Sequence, residues 1–265
     1  MVYNTDDKLP LIVVVTVTLN HSEELEETIQ SVLAQTYPYI EHIVVDGGSE
    51  DESVSILKKY SEKIKTWVSE SDKGIYDAMN KGVDLGTGEW VIFMNSGDCF
   101  ADDHVVNNIF TLPFKEVDFI YGHHMVLYEN AFEGIKRAGE TYDLWKGMVF
   151  SHQAVFIKMD MLRKHPFCLA EPIGADYHMI FTAYAAKAIF LKCDVIIAKI
   201  RNNGLSDIQR VPSLISHWRV VRKHQKNFRV DAYYTTAVII MIIRQFVKFI
   251  LPRKMISRII KYKYR

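Results

Sequence analysis

Residues 11–19 read LIVVVTVTL, a run in which every position is apolar or β-branched. A strand with one wet face alternates polar and apolar residues. An unbroken run of this length predicts a strand buried on both faces, as in a parallel sheet. Asn20 and His21 come next, and Ser22 is the expected N-cap of a helix. In that helix Leu25, Ile29, Val32 and Leu33 recur at helical spacing, with acids in the first turn. A strand at 41–45 then ends in Asp46-Gly47-Gly48-Ser49, and a helix at 51–60 precedes a strand at 64–69. A helix at 75–85 leads to a strand at 90–94, which ends in Asn95-Ser96-Gly97-Asp98. Strand and helix alternating across brief loops predicts right-handed crossovers, a parallel sheet and helices on both of its faces.

The second half is less regular. Residues 118–128 read as one or two strands, 153–157 and 195–200 as strands, and 175–187 as a helix. Helices are expected at 211–227 and from 232 to about 251, where Pro252 stops the last one. The domain boundary is placed between residues 1–209, an α/β unit, and 210–265, a helical and basic extension.

At 265 residues, 49% hydrophobic and 24% charged, the chain can bury a full core. Its net charge is zero, so composition gives no reason to expect nucleic acid. The balance is uneven, however. From Arg244 to Arg265 there are eight Lys or Arg and no acid, which leaves the rest of the chain at net −8. Cys99, Cys168 and Cys193 are odd in number and far apart, with no zinc or disulfide spacing. His123, His124 and Glu129 are too loosely spaced to read as a zinc site. The opening MVYNTDDKLP lacks an apolar leader, and the longest apolar run, 237–243, is short of the ~20 residues a bilayer needs. A cytoplasmic location is therefore the expectation.

In open α/β sheets, ligands bind beyond the carboxyl ends of the strands. Thr18, Asn20, Asp46, Glu70, Asp72 and Asp98 occupy those positions here. No glycine follows the first strand, so a GxGxxG dinucleotide site is excluded, and the chain has no GxxxxGK[ST] loop.

The ordered set VTVTLN, IVVDGGSED, SESDKGIYDAMNKGVDLGTGEWVIFMNSGD, SHQAVFI and ADYHMI resembles glycosyltransferase family 2, the inverting enzymes of GT-A fold. It is most similar to the bacterial branch that builds capsule, exopolysaccharide and lipopolysaccharide. The resemblance covers about residues 10–205. It implies a mixed, mostly parallel, Rossmann-like α/β sheet flanked by helices. The implied reaction moves a hexose from a UDP-type nucleotide sugar to a saccharide or lipid-linked acceptor.

Carried onto matching positions, the resemblance puts Thr18, Asn20, Asp46, Gly47, Asp72, Lys73, Asn80 and Lys81 around the nucleotide. Asp46 would accept from the base or ribose while Gly47 lets the ligand approach; an ordinary Asp-Gly turn is the alternative. Lys73 is either a phosphate contact or a solvated lysine, and Asn80 and Lys81 either line the pocket or lie on a surface helix. Asn95-Ser96-Gly97-Asp98 stands at the family's DxD-type metal motif. Asp98 is the expected ligand of Mn²⁺ or Mg²⁺, and Ser96 and Gly97 are expected beside the donor. Asn95 departs from the pattern by replacing an acid with a neutral amide, which implies weaker metal binding. Asp176 matches the catalytic base, with a helix N-cap as the other reading. His152 and Gln153 match a sugar-side motif or serve structure alone. Residues 203–207 form either a lid or a connector.

Two further function classes share this α/β core. A nucleotidyltransferase would need a Gly- and Lys/Arg-rich loop after the first strand, and none is present. A non-catalytic nucleotide-sugar-binding module would tolerate the altered metal motif. The last predicted helix, with Val238, Ile242, Phe246 and Phe249 at helical spacing beside Arg244 and Lys248, suits the headgroup layer of an anionic membrane. Each basic residue there contributes about 1 kcal/mol. That would make the protein peripheral on the inner face; packing on its own domain is the alternative.

Overall fold

The run at 11–19 forms β1 (Ile12–Thr18), every residue of which is buried. The computed structural model describes residues 9–111, 116–127, 133–201 and 210–250. β1 lies between β2 (Ile40–Asp46) and β4 (Trp90–Phe93), parallel to both, and β3 (Thr66–Ser69) runs parallel to β2. Side chains of β1 alternate between two cores. Val13, Val15 and Val17 enter one, while Ile12 and Val14 enter the other. Burying each such side chain contributes about 1.5–3 kcal/mol, so helices must cover both faces of the strand. That is the physical content of its unbroken apolar run.

Two helices cover these faces with particular closeness. α1 (Ser22–Leu33) buries Leu25, Ile29 and Val32, and α3 (Ile75–Leu85) buries Ala78, Met79 and Val83. α3 approaches so closely that a Cβ on Gly82 would overlap the methyls of Val15. Between them, α2 (Ser53–Lys59) buries Leu57 in a smaller cluster with Leu25 and Ile29.

Beyond β4 the pairing becomes mixed. The sheet order is β3-β2-β1-β4-β8-β6-β9-β5. β8 (Val155–Lys158) is antiparallel to both β4 and β6 (Phe119–Leu127), whereas β9 (Phe190–Arg201) runs parallel to β6. β5 (Cys99–Phe100) pairs antiparallel with β9, and β7 (Glu133–Lys136) with β6. α4 (Val105–Phe110), α5 (Met159–Lys164) and α6 (Ala175–Ala185) complete this half.

The last two helices, α7 (Arg210–His224) and α8 (Phe228–Ile250), are joined by a stacked Trp218–Tyr234 pair and by Asp231, which accepts from Trp218 and pairs with Arg222. Val220, Val221, Val230 and Tyr234 belong to the same core cluster as Val13 and Val15, so these helices pack onto the sheet domain.

One expectation is corrected. Ser22 is the first residue of α1, not its cap, and the cap position is held by His21 without a side-chain bond. The Ser22 N–H instead donates to Asp51 Oδ2 at 2.9 Å, so a carboxylate from the β2–α2 connection caps the helix. The expected loop at 203–207, Glu129 and the basic stretch beyond residue 250 lie outside the described residues.

Candidate active site

Parallel register sets three strand ends side by side, Thr18 next to Asp46 and Asp46 next to Ser69. Asp46 is fully buried. Its carboxylate accepts from the Ser69 hydroxyl at 2.6 Å, the Ser49 N–H at 3.0 Å and the Ser49 hydroxyl. An ionised carboxylate has about four acceptor sites, so one remains after these three donors. The 47–50 turn is pinned from the other side by Asn20, which adopts φ +55. Its N–H donates to Ser49 Oγ at 2.7 Å, and its amide oxygen accepts from the Glu50 N–H at 2.8 Å. Gly47 donates to the Thr18 carbonyl at 2.9 Å. A side chain on Gly47 would strike the Asp72 carboxylate, which lies against it. Asp46 and Asp72 thus flank one glycine, and the Thr18 hydroxyl beside them is buried with no protein partner.

The next three positions tie the frame together. The Asn80 amide bonds both backbone groups of Phe167, donating at 2.9 Å and accepting at 3.0 Å. Lys81 pairs with Glu70 at 2.8 Å and Asp77 at 3.7 Å, across the loop that holds Asp72 and Lys73. The Lys73 backbone N–H donates to Asp77 at 3.0 Å.

After β4 the chain turns through Asn95-Ser96-Gly97-Asp98, with Gly97 at φ +90. Buried Thr28 locks this turn, accepting from the Gly97 N–H at 3.0 Å and donating to the Asp98 carbonyl at 2.9 Å. Asp98 is buried and accepts from the Gln153 amide at 3.0 Å. Burial pushes its carboxyl up to about 6, against the opposing pull of Gln153, His152 and Arg201.

The second cluster is built on His152. Its Nδ1 lies 3.3 Å from Asp176 Oδ2, and its Nε2 lies 3.5 Å from the Asn95 amide nitrogen. The Tyr76 hydroxyl donates to the other Asp176 oxygen at 2.9 Å. Gly174, at φ +83, occupies the cap of α6, and Asp176 sits one residue inside the helix with its carboxylate turned to His152 and Tyr76. Burial alone would raise the Asp176 pKa. The bond and charge of His152, the Tyr177 N–H and the Tyr76 hydroxyl outweigh it and hold the carboxyl well below the usual range. Burial likewise disfavours charge on His152, but Asp176 beside it raises its pKa.

Which of these groups suit a metal? Asn95 Oδ1 and Ser96 Oγ are buried without hydrogen-bond partners, one turn from the Asp98 carboxylate. Hard oxygen donors of this kind fit Mg²⁺ or Mn²⁺. Among the described residues no cluster of three His, Cys, Asp or Glu side chains stands ready to hold an ion. The donor set therefore fits a cation that brings further oxygen ligands of its own.

Several neighbours of the site escape the sequence pattern. Tyr76 and Ser69 orient the two key carboxylates. His217 of α7 packs tilted against Tyr177 with ring centroids 3.9 Å apart, has a buried Nδ1 without a partner, and is pushed down to about 4 by burial. His124 on β6 is also pushed down to about 4, by burial and then by nearby cationic groups that include His152. Arg201, at the end of β9, packs over Gly97 and pairs with Glu27. Only Ser69, at a strand end next to Asp46, carries a sequence signal, since strand ends are where ligands bind.

Residues 13–162 match the family described as "Glycosyl transferase family 2". Over 98 residues, 37% of this chain and 37% of the relative, the sequence is 42% identical to an uncharacterized glycosyltransferase of Mycobacterium tuberculosis strain H37Rv. Over 267 residues, 97% of this chain and 98% of the relative, it is 24% identical to the PGL/p-HBAD biosynthesis glycosyltransferase of Mycobacterium bovis strain BCG. Among solved structures, a mannosyltransferase from Pyrobaculum calidifontis in complex with GDP-Man and Mn²⁺ has a TM-score of 0.64. It is 18% identical, covering 88% of this chain and 70% of that one. S. aureus TarS 1–349 in complex with UDP-GlcNAc has a TM-score of 0.65 at 15% identity, covering 81% and 66%. At these identities the structural likeness speaks for the fold, and it agrees with the GT-A, Rossmann-like arrangement described above.

Proposed function

Because the chain belongs to glycosyl transferase family 2, we propose that this glycosyltransferase is inverting and moves a hexose from a UDP-linked donor to an acceptor hydroxyl. The observation that carries the reading is the His152 bridge, a single ring in contact with both Asn95 of the phosphate-side turn and the ionised Asp176. In this reading a base for the acceptor and a cradle for the leaving group share one rim.

In this reading the acceptor hydroxyl approaches Asp176. Its oxygen bonds to the anomeric carbon as the bond from that carbon to the diphosphate oxygen breaks, and the diphosphate leaves with the electron pair. Asp176 takes the hydroxyl proton. Attack from the face opposite the leaving group inverts the centre in one displacement. A carboxylate of low pKa is a weak base, but the hydroxyl becomes strongly acidic as its oxygen acquires a third bond, so a late proton transfer suffices. His152 and Tyr76 keep Asp176 ionised and aimed. A divalent cation bound with the diphosphate would neutralise charge building on the leaving group. Asp98, Asn95 and Ser96 are the oxygens that would hold it. On the base side, Asp46 retains one acceptor position, and Gly47 with Asp72 forms the neighbouring wall; Lys73, Asn80 and Lys81 frame the loop they share.

A saccharide or lipid-linked saccharide of a cell-surface polymer, presented at the inner face of the membrane, is the acceptor class in this reading. The name of the M. bovis relative, which aligns over nearly all of this chain, supports biosynthetic glycosylation over the manufacture of sugar nucleotides. The test is a panel of UDP- and GDP-sugars with Mn²⁺ or Mg²⁺, read as released nucleoside diphosphate. Turnover of a UDP-sugar is expected. Intact UDP binding with no release from any donor would make the protein a binding module, and consumption of nucleoside triphosphate would make it a nucleotidyltransferase.

A further inference from the structure

α8 has two unlike sides. Val230 and Tyr234 are buried, and Ala237 and Met241 continue that side at spacings of four, three and four residues. At about 100° per residue these four lie within one inward arc. On the opposite side Ile239, Ile240, Ile242 and Ile243 are 43–55% exposed, and Phe228 is 84% exposed. Single exposed hydrophobics are ordinary, but a contiguous isoleucine ridge on a long helix marks an interaction surface.

Charge identifies the occupant. The single acid of the helix, Asp231, is tied to Trp218 and Arg222. From Ala232 to Arg265 the sequence has no acid, and eight Lys or Arg begin at Arg244, next to the ridge. Among the described residues no helix is long and apolar enough to cross a membrane. An apolar ridge followed in sequence by a basic run without acids is the pattern of a helix that lies in an anionic headgroup layer.

We infer that the Ile239–Ile243 face of α8 is a docking surface for an anionic lipid bilayer. The inference deepens the reading of a lipid-linked acceptor and rests on it for its biological sense. The mounting of the helix gives it a consequence for catalysis. The Tyr234 hydroxyl lies 3.5 Å from that of Tyr177, the neighbour of Asp176, and Tyr233 donates to the Lys146 carbonyl at 3.2 Å and packs edge-on against Trp145. A bilayer under α8 is thereby held in fixed relation to the catalytic helix α6.

The experiment is flotation of the full chain with vesicles of phosphatidylcholine alone or with about a third phosphatidylglycerol. The wild type is expected to float with the anionic vesicles, and at least tenfold less with neutral ones or in high salt. I239E/I243E is expected to lose at least tenfold in binding. I239S/I243S, which removes apolar area without adding charge, is expected to lose binding too. Both should keep the wild-type melting temperature and vesicle-free nucleotide release. Failure of the wild type to float, or equal flotation of the variants, overturns the inference. So does a wild-type dimer that the variants render monomeric, since the ridge would then be a contact between copies. Nucleotide release measured without vesicles reports on the catalytic reading separately.

Discussion

His152 stands 3.3 Å from Asp176 through Nδ1 and 3.5 Å from Asn95 through Nε2. With a proton on Nδ1 the ring donates to the carboxylate, and while Nε2 is unprotonated it accepts from the amide; a second proton, taken up as pH falls, turns the first contact into an ion pair. The ring thus links the 95–98 turn after β4 to Asp176.

Replacing His152 with Gln preserves a donor toward Asp176 and removes the charge. Turnover should fall roughly 10²-fold, in line with loss of a positioned group in proton transfer. Stability should change in a pH-dependent way. The raised pKa of His152 means its contribution is complete below the ordinary histidine value of 6.5 and is lost as pH climbs through the raised one. The depressed pKa of Asp176 means its contribution is complete above the ordinary 3.8 and is lost only at strongly acid pH. The melting-temperature gap between wild type and H152Q should therefore be widest below pH 6.5 and close as pH climbs through the raised value. A gap that stays flat from pH 5 to 9 would show that the ion pair does not contribute.

Asp98 has the opposite sign. Its pKa rises from 3.8 to about 6, so the folded protein holds a proton there that the unfolded chain releases. Stability should drop as pH climbs from 4 to 6, by an amount on the order of 3 kcal/mol for such a shift. In metal-free protein at neutral pH, D98N should consequently melt higher than wild type. The same substitution should weaken Mn²⁺-dependent turnover. Thermal melts and a Mn²⁺ titration of nucleotide release check the two halves, and a D98N protein that melts lower contradicts the first.

Two glycines should separate packing from binding. G82A drives a methyl into the side chain of Val15 between α3 and β1, and overpacking of that kind costs about 1–3 kcal/mol. G47A clashes with the movable Asp72 carboxylate and meets Leu19 at ordinary contact distance. It should unfold near the wild-type urea midpoint yet bind UDP at least tenfold more weakly. Equal UDP affinity for G47A and wild type would take Gly47 out of the nucleotide site.

Much of the frame is legible in sequence because its elements are long and periodic. The expected bounds of α3 are those observed, and β1 is predicted to within a residue at either end. β5 has two residues and α4 and α5 six each, too short for any periodicity to register. α8 begins at Phe228, four residues before the expected start, because Asn227 Oδ1 bonds the Arg229 N–H and anchors the first turn. Within the site, strand-end position is enough to nominate Asp46 and Asp98. The contacts of Asp176 and Asn80 are not readable. Tyr76 meets Asp176 across 100 residues, and Asn80, expected as a pocket residue, has its amide engaged with the Phe167 backbone. Such contacts are products of tertiary packing, and no local pattern encodes them.

The most direct test is D176N, assayed beside wild type for nucleotide release from UDP-sugars and for UDP affinity by calorimetry. The amide keeps the shape of the site and cannot accept the acceptor's proton. Release should fall by roughly 10²–10⁴-fold while the UDP dissociation constant stays within twofold. A variant that transfers sugar at the wild-type rate would show that Asp176 is not the base.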